Sequence, residues 1–281
     1  MSERPHAAKP GSPPAARPKN TAPRLAEMKR RGDPIVVVTA YDFPTAKLAD
    51  QAGIDVILVG DSLGTVVLGY DSTLPVTVED MLHHTRAVTR ARPAALVVAD
   101  MPFMSYQVSV EQAVANAGRF IQEGGADAVK LEGGERILPA VTRLCEIGIP
   151  VMGHLGLTPQ SVLALGGYKV QARGEADQER LVHEAQRLER AGCFAVVLEG
   201  IPARLGAQVS RALTIPTIGI GAGVSCDGQV LVSHDLLGFF LGHQPKFVRR
   251  YAQLADTVRE AFEQFVADVK ARRFPSDEES Y

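Results

Sequence analysis

Four carboxylates lie at or near the ends of four short apolar runs in this chain. Asp61 closes VILVGD, Asp100 closes ALVVAD, Glu132 stands near the end of DAVKLEG, and Glu199 stands near the end of FAVVLEG. Acids gathered around one centre in a partly desolvated site repel by roughly several kcal/mol per pair, so something positive must sit among them. Donors that are all oxygen select a hard cation, and Mg²⁺ takes a carboxylate or two together with waters and substrate oxygens. No His or Cys cluster at zinc-ligand spacing accompanies the acids, which disfavours zinc. Lys130 stands two residues before Glu132, so on a strand the two share one face, with Val129 and Leu131 on the other. A lysine in that place neutralises an anionic substrate or bridges to a carboxylate. A buried ion pair without substrate contact and a Schiff-base amine are the alternatives. Ser62, directly after Asp61, offers a hydroxyl and an amide suited to a carboxylate, or serves ordinary turn chemistry.

The remaining candidates carry weaker signals. His154 near the end of IPVMGHL reads equally as a donor to a neighbouring acid and as a structural histidine. His83 and His84, adjacent within a helix-like stretch, read as helix surface. Gly219, Gly221 and Gly223 resemble a phosphate-gripping loop after a seventh barrel strand, and close backbone packing explains them as well.

For the acids to converge, the segments carrying them must end at one place. The apolar runs cover 35–40, 56–61, 95–100, 127–133, 149–155, 194–200, 215–221 and 229–235. Continuous runs rich in Val and Ile read as parallel strands buried on both faces. Helical patterns stand between them. Thr77-Val-Glu-Asp80 and Ser109-Val-Glu-Gln112 resemble capping boxes. A helix is expected over 177–191, and a last one over about 245–271. Repeated strand–helix units in a 24–281 segment predict a single (β/α)₈ TIM barrel. The runner-up, an open doubly wound sheet, normally has a glycine-rich GxGxxG turn after its first strand. Here that place holds Ala40-Tyr-Asp-Phe-Pro44. In the barrel, Asp61, Asp100, Glu132 and Glu199 mark the C-terminal ends of the second, third, fourth and sixth strands, where active sites lie. The stretch 156–176 is long for a strand-to-helix connection and is a candidate lid.

Composition excludes other classes. Hydrophobic residues make up 46% and charged residues 22%, with net charge −2 and no basic stripe. Nucleic acid and anionic membranes are therefore not expected partners. No run of about 18 apolar residues occurs, so no membrane span is expected. Cys145, Cys193 and Cys226 form no CxxC pair, and the cytoplasm is the expected compartment. Residues 1–23 hold six prolines and five alanines and are expected to be a disordered tail.

The ordered set VGDSLG (59–64), DSTLPVT (71–77), ADMPF (99–103), VKLEGGE (129–135), GHLGLTPQSV (153–162), GGYKVQ (166–171), IGIGAG (218–223) and CDGQVLV (226–232) resembles the ketopantoate hydroxymethyltransferase family. The likeness runs from about Arg24 to the C-terminal SDEESY. It implies a (β/α)₈ barrel assembled as a homodecamer, with Mg²⁺, one per subunit, and 5,10-methylenetetrahydrofolate as co-substrate. The implied reaction converts 3-methyl-2-oxobutanoate to 2-dehydropantoate in pantothenate biosynthesis through an enolate stabilised by the cation. Matched motif by motif, Asp61, Asp100 and Glu132 are the implied metal-site acids. Asp61, Ser62, Asp100 and Lys130 are the implied keto-acid contacts, and Glu199 is the implied catalytic base. Gly200 departs from the larger side chain expected after that base. The nearest rival is a Mg²⁺-dependent lyase or mutase of the phosphoenolpyruvate/pyruvate type. Such enzymes often carry a reactive cysteine in a mouth loop, and no cysteine here sits beside the acidic strand ends. A non-catalytic ring scaffold would not need these acids at all.

Overall fold

A computed structural model of the chain describes residues 17–239, 242 and 244–281. Eight parallel strands close into a barrel in sequence order. They are β1 (Ile35–Thr39), β2 (Val56–Val59), β3 (Leu96–Asp100), β4 (Ala128–Glu132), β5 (Val151–Gly156), β6 (Ala195–Glu199), β7 (Thr217–Ile220) and β8 (Gly228–Leu231), with β8 pairing back onto β1. This is the (β/α)₈ barrel that the repeating pattern predicts.

Alternation along the strands builds two cores. Val56, Leu58, Leu96, Val98, Ala128, Met152, Ala195 and Val197 fill the barrel interior. Ile57, Val59, Val97, Ala99, Val129, Leu131 and Leu198 face the surrounding helices. The same alternation turns Lys130 and Glu132 inward, because Val129 and Leu131 are committed to the outer core.

Capping fixes the flanking helices. In Val78–Thr89 the Thr77 hydroxyl and the Asp80 carboxylate satisfy each other's backbone amides, the full reciprocal box. In Val110–Gln122 only the Ser109 half forms, accepting from the Gln112 amide. The predicted 177–191 helix begins two residues earlier, as Glu175–Arg190, with Gly174 rather than a polar side chain before it.

Three expectations change at the ends of the chain. The tail was expected to reach residue 23, but a helix spans Ala22–Arg31 and Thr21 caps it. Ahead of it, Asn20 is buried and donates its amide to the Ala94 carbonyl at 2.7 Å. Lys19 pairs with Asp127 at 2.6 Å and donates to the Ala95 carbonyl at 2.8 Å, which ties this segment to the barrel. Residues 1–16 lie outside the described residues. The last helix is Leu254–Lys270, not 245–271. The Tyr251 amide reaches the Leu236 carbonyl at 2.7 Å, and Val248 is buried. Apolar residues at helical spacing are thus used for contacts across a loop. Finally, the run 229–235 is a strand only to Leu231, after which Ser233–Leu236 turns into a short helix. The Ser233 amide donates to the Thr39 hydroxyl at 3.0 Å, tying the two ends of the barrel seam together.

The Ala22–Arg31 helix also stoppers the N-terminal end of the barrel. Leu25 is fully buried, and Met28 joins it against Ile35 and Val37. Among the described residues no helix is long and apolar enough to cross a membrane. Leu25→Ala is expected to lower unfolding stability by about 2–5 kcal/mol, read as a fall in the urea midpoint at unchanged slope. A midpoint equal to that of the unaltered chain would show that the helix does not seal the barrel.

Candidate active site

Strand register decides which side chains meet. Asp100 lies opposite Lys130 on β3 and β4, and Glu132 lies opposite His154 on β4 and β5. Side chains on paired positions of one face approach each other. Accordingly, Lys130 Nζ stands 3.1 Å from Asp100 Oδ1 and 3.8 Å from Glu132 Oε1. His154 Nδ1 stands 3.3 Å from Glu132 Oε1, and its Nε2 stands 3.2 Å from Glu199 Oε2. Asp61, just beyond β2, reaches this group through its backbone, whose amide donates to Asp100 Oδ2 at 3.1 Å. All four acids therefore border one buried polar group at the C-terminal mouth, as the strand-end reading requires.

Gly60 makes that approach available. A Cβ at this position would lie 2.8 Å from Ser62 Oγ and 3.6 Å from Asp100 Oδ2. Ser62 is held by Tyr41, whose hydroxyl lies 2.8 Å from the Ser62 oxygen. His84 is not helix surface as expected, because its Nδ1 lies 2.6 Å from the Tyr41 carbonyl. His83 is exposed, as expected. The glycines after β7 serve packing, since a Cβ on Gly221 would meet the Phe247 ring at 2.8 Å and one on Gly223 would meet Ala203 at 2.5 Å. Gly200 has φ +56°, and its Cβ would meet Leu157 at 3.1 Å. A side chain there would be strained, so glycine after Glu199 suits this backbone.

Electrostatics follow from crowding without water. Asp61, Asp100, Lys130, Glu132 and His154 are all buried. Burial pushes the Asp61 carboxyl well above its ordinary range, and Glu132 and Asp100 push it further. Burial likewise raises Asp100, against the pull of Lys130. For Glu132 burial acts upward, but His154, Lys130 and the Gln160 amide together hold it below the ordinary value. Lys130 is raised: burial opposes its charge, and Asp100, Glu132 and Asp61 outweigh that. It is a fixed cation, which disfavours the Schiff-base alternative, because that chemistry needs the free amine. His154 is raised to about 9; burial and Lys130 act downward, and Glu132 and Glu199 overcome them. The balance favours an imidazolium between two carboxylates, with the Lys130 ammonium also 3.3 Å from its Nδ1.

Two buried residues that the sequence patterns did not single out complete the site. Gln160 donates from Nε2 to Asp61 Oδ2 at 2.9 Å and from its backbone amide to Glu132 Oε2 at 3.0 Å. The Tyr106 hydroxyl lies 2.7 Å from Gln160 Oε1 and accepts from the Glu132 amide at 3.0 Å. Neither residue sits in a pattern of chemical residues; only the fold brings them in. The 156–176 segment does overhang the mouth. The Tyr168 phenol is pushed up by burial and by the fields of Asp61, Glu199 and Glu132. Cys145, Cys193 and Cys226 are free thiols, none hydrogen-bonded to these acids.

The family described as ketopantoate hydroxymethyltransferase matches residues 19–277. A 3-methyl-2-oxobutanoate hydroxymethyltransferase from Moorella thermoacetica is 59% identical over 267 residues, 95% of this chain and 99% of that protein. The chain belongs to the ketopantoate hydroxymethyltransferase family. Another relative, from Syntrophus aciditrophicus and bearing the same enzyme name, is 56% identical and covers 94% of this chain and 97% of its own length. Outside the family, a phosphonopyruvate hydrolase structure superposes with TM-score 0.62 at 14% identity, covering 92% of this chain and 93% of its own. A phosphoenolpyruvate phosphomutase from Streptomyces platensis does so with TM-score 0.61 at 14% identity, covering 90% of this chain and 88% of its own. These last two share the barrel with the family, and that is all such identities carry.

His154 makes a pH dependence calculable. Its folded value of about 9 lies above the ordinary 6.5, so the proton is bound more tightly in the folded chain. The stability this supplies is whole below about 6.5 and is lost as pH rises through about 9. In chelator, the melting temperature should fall across that window. A flat profile there would refute the charged imidazole.

Proposed function

We propose that this chain transfers a hydroxymethyl group from 5,10-methylenetetrahydrofolate to 3-methyl-2-oxobutanoate, giving 2-dehydropantoate, with one Mg²⁺ per subunit. The observation that carries this reading is the division of the buried acids into two groups. Asp61 keeps one oxygen free of hydrogen bonds and Asp100 Oδ1 meets only the Lys130 ammonium, while both Glu132 oxygens are engaged by protein groups. Asp100 Oδ1 is buried and faces the Lys130 ammonium at 3.1 Å, with no aligned hydrogen bond to it. The Asp61 bond from Gln160 is to Oδ2, and among the described residues no hydrogen bond reaches its Oδ1. Glu132 spends Oε2 on the Gln160 amide and Oε1 on His154 and Lys130.

Among the described residues no three His, Cys, Asp or Glu side chains form a ready metal cage. Zinc would want one, whereas Mg²⁺ keeps its waters and takes few protein oxygens. The donor set therefore fits Mg²⁺, held directly by Asp61 and Asp100, with Glu132 acting through water. The raised Asp61 and Asp100 carboxyls support the same assignment, since a divalent cation would offset their mutual repulsion. When bound, the ion supplies a Lewis acid that makes negative charge on the keto oxygen less costly.

The chain's own groups then divide the work. Lys130, held charged by Asp100, attracts the anionic keto acid and steadies developing oxygen charge. Ser62, steadied by Tyr41, donates to the substrate carboxylate. Glu199 takes the proton from C3, with His154 Nε2 standing 3.2 Å from its Oε2 as a charged neighbour. A bond forms between the resulting carbanionic carbon and the one-carbon unit, both carbon–nitrogen bonds that held that unit to the folate break, water supplies the hydroxyl oxygen, and tetrahydrofolate leaves with a proton on each freed nitrogen. The proposed homodecamer is supported by the Leu254–Lys270 helix. None of its residues is buried, and Phe262, Phe265, Val266 and Val269 are exposed, the mark of a face covered in an assembly.

Glu199→Gln should abolish deuterium exchange at C3 of 3-methyl-2-oxobutanoate while the keto acid still binds. Exchange at the unaltered rate would remove Glu199 as the base. Asp61→Ala and Asp100→Ala should each weaken Mg²⁺ and keto-acid binding together in calorimetric titration. Unchanged Mg²⁺ isotherms in both would remove the two acids as ligands.

A further inference from the structure

We infer that Gln160 is a positioning residue that decides which carboxylate oxygens of Asp61 and Glu132 are left for the cation and the substrate, an inference that rests on the Mg²⁺ reading above. Gln160 is buried, and its hydrogen bonds span three strand ends. Its two Nε2 donors go to Asp61 Oδ2 and to the Met101 carbonyl, each at 2.9 Å. Its Oε1 faces the Tyr106 hydroxyl at 2.7 Å and the Gln107 amide at 3.1 Å. Its backbone amide takes Glu132 Oε2 at 3.0 Å.

The orientation of this amide is dictated by its surroundings. A flipped side chain would set oxygen against Asp61 Oδ2 and the Met101 carbonyl, and set NH₂ against the Gln107 NH₂. Met101 accepts only and Gln107 Nε2 donates only, so one orientation satisfies every partner. All donor and acceptor capacity is then spent within the protein. Gln160 has no group to offer substrate, which separates it from Ser62 and Lys130.

The consequence falls on Asp61. In a cluster of like charges a carboxylate can relieve repulsion by rotating away, and the Gln160 amide ties Asp61 down at Oδ2. Gln160 holds Oδ2 and so leaves Oδ1 as the Asp61 oxygen without a hydrogen bond among the described residues. Through the same residue's backbone, Glu132 Oε2 is withdrawn from direct ligation, which leaves Glu132 to act through water. One residue thus opens one acid to the cation and closes another.

The test uses the full chain, stripped with chelator and titrated calorimetrically with Mg²⁺ alone. Gln160→Met, similar in length but without the amide, should bind Mg²⁺ about tenfold or more weakly, the range lost when a hydrogen bond to a metal ligand is removed. Gln160→Glu keeps the acceptor for Tyr106 but turns an oxygen toward Asp61, and should also bind at least about tenfold more weakly. Leu25→Ala, which loosens the barrel's far end without touching the site, supplies the control for general destabilisation and should keep the unaltered affinity. If both Gln160 variants bind Mg²⁺ as tightly as Leu25→Ala, Gln160 is merely structural and the inference is overturned. If the unaltered chain takes up no Mg²⁺, the reading of the site fails first, and the inference with it. Should Gln160→Met fail to fold, Gln160→Glu alone decides by the same criterion.

Discussion

Like charges forced together out of water are the constraint on which this molecule turns. Asp61, Asp100 and Glu132 crowd one end of a barrel whose interior below them is aliphatic. Such a group is costly unless each charge is met by an opposite one or by hydrogen bonds. The parallel register meets part of that demand directly by setting Asp100 against Lys130 and Glu132 against His154. What register leaves unmet is concentrated on Asp61 and Asp100. The residual field at the mouth is therefore a specific consequence of which strand positions are acidic.

Much of this could be read from the chain before any coordinates. Runs rich in Val and Ile that end in acids point to the strands and their ends, because parallel strands buried on two faces favour such continuous β-branched runs. Lys130 and Glu132 could be assigned to one face from spacing alone. Tyr106 and Gln160 could not be found this way. Their contacts join residues 26 and 54 positions apart in the case of Tyr106, and 99 apart in the case of Gln160 and Asp61. Amide and phenol side chains carry no chemical signature until a partner is beside them. The segment 245–253 misled for a related reason. Phe247, Val248 and Tyr251 keep helical spacing, yet Phe247 stands against Gly221 and the Tyr251 amide bonds to the end of the preceding short helix, and tertiary packing overrides local pattern.

The N-terminal end shows the same limit. A segment rich in proline predicts no regular structure, and composition could not reveal that Lys19 finds Asp127 or that Asn20 finds the loop before β3. These contacts bring the chain to the bottom of the barrel, where the Ala22–Arg31 helix fills the opening opposite the acids. Stability and chemistry are thereby kept at opposite ends, which is the division of labour that barrels of this kind allow.

The connection after β5 has feet that differ in kind from its tip. Leu157 donates to the Glu199 carbonyl and Gln171 to the Gly200 carbonyl, both at 2.8 Å, and Gln160 is rooted among the acids. Between these anchors Leu163, Tyr168 and Val170 stand exposed. Any swing of the tip must bend within the stretch from 161 to 170, like a flap sewn down along both hems. The tip is thus the part of this overhang that the fittings beneath it do not tie down.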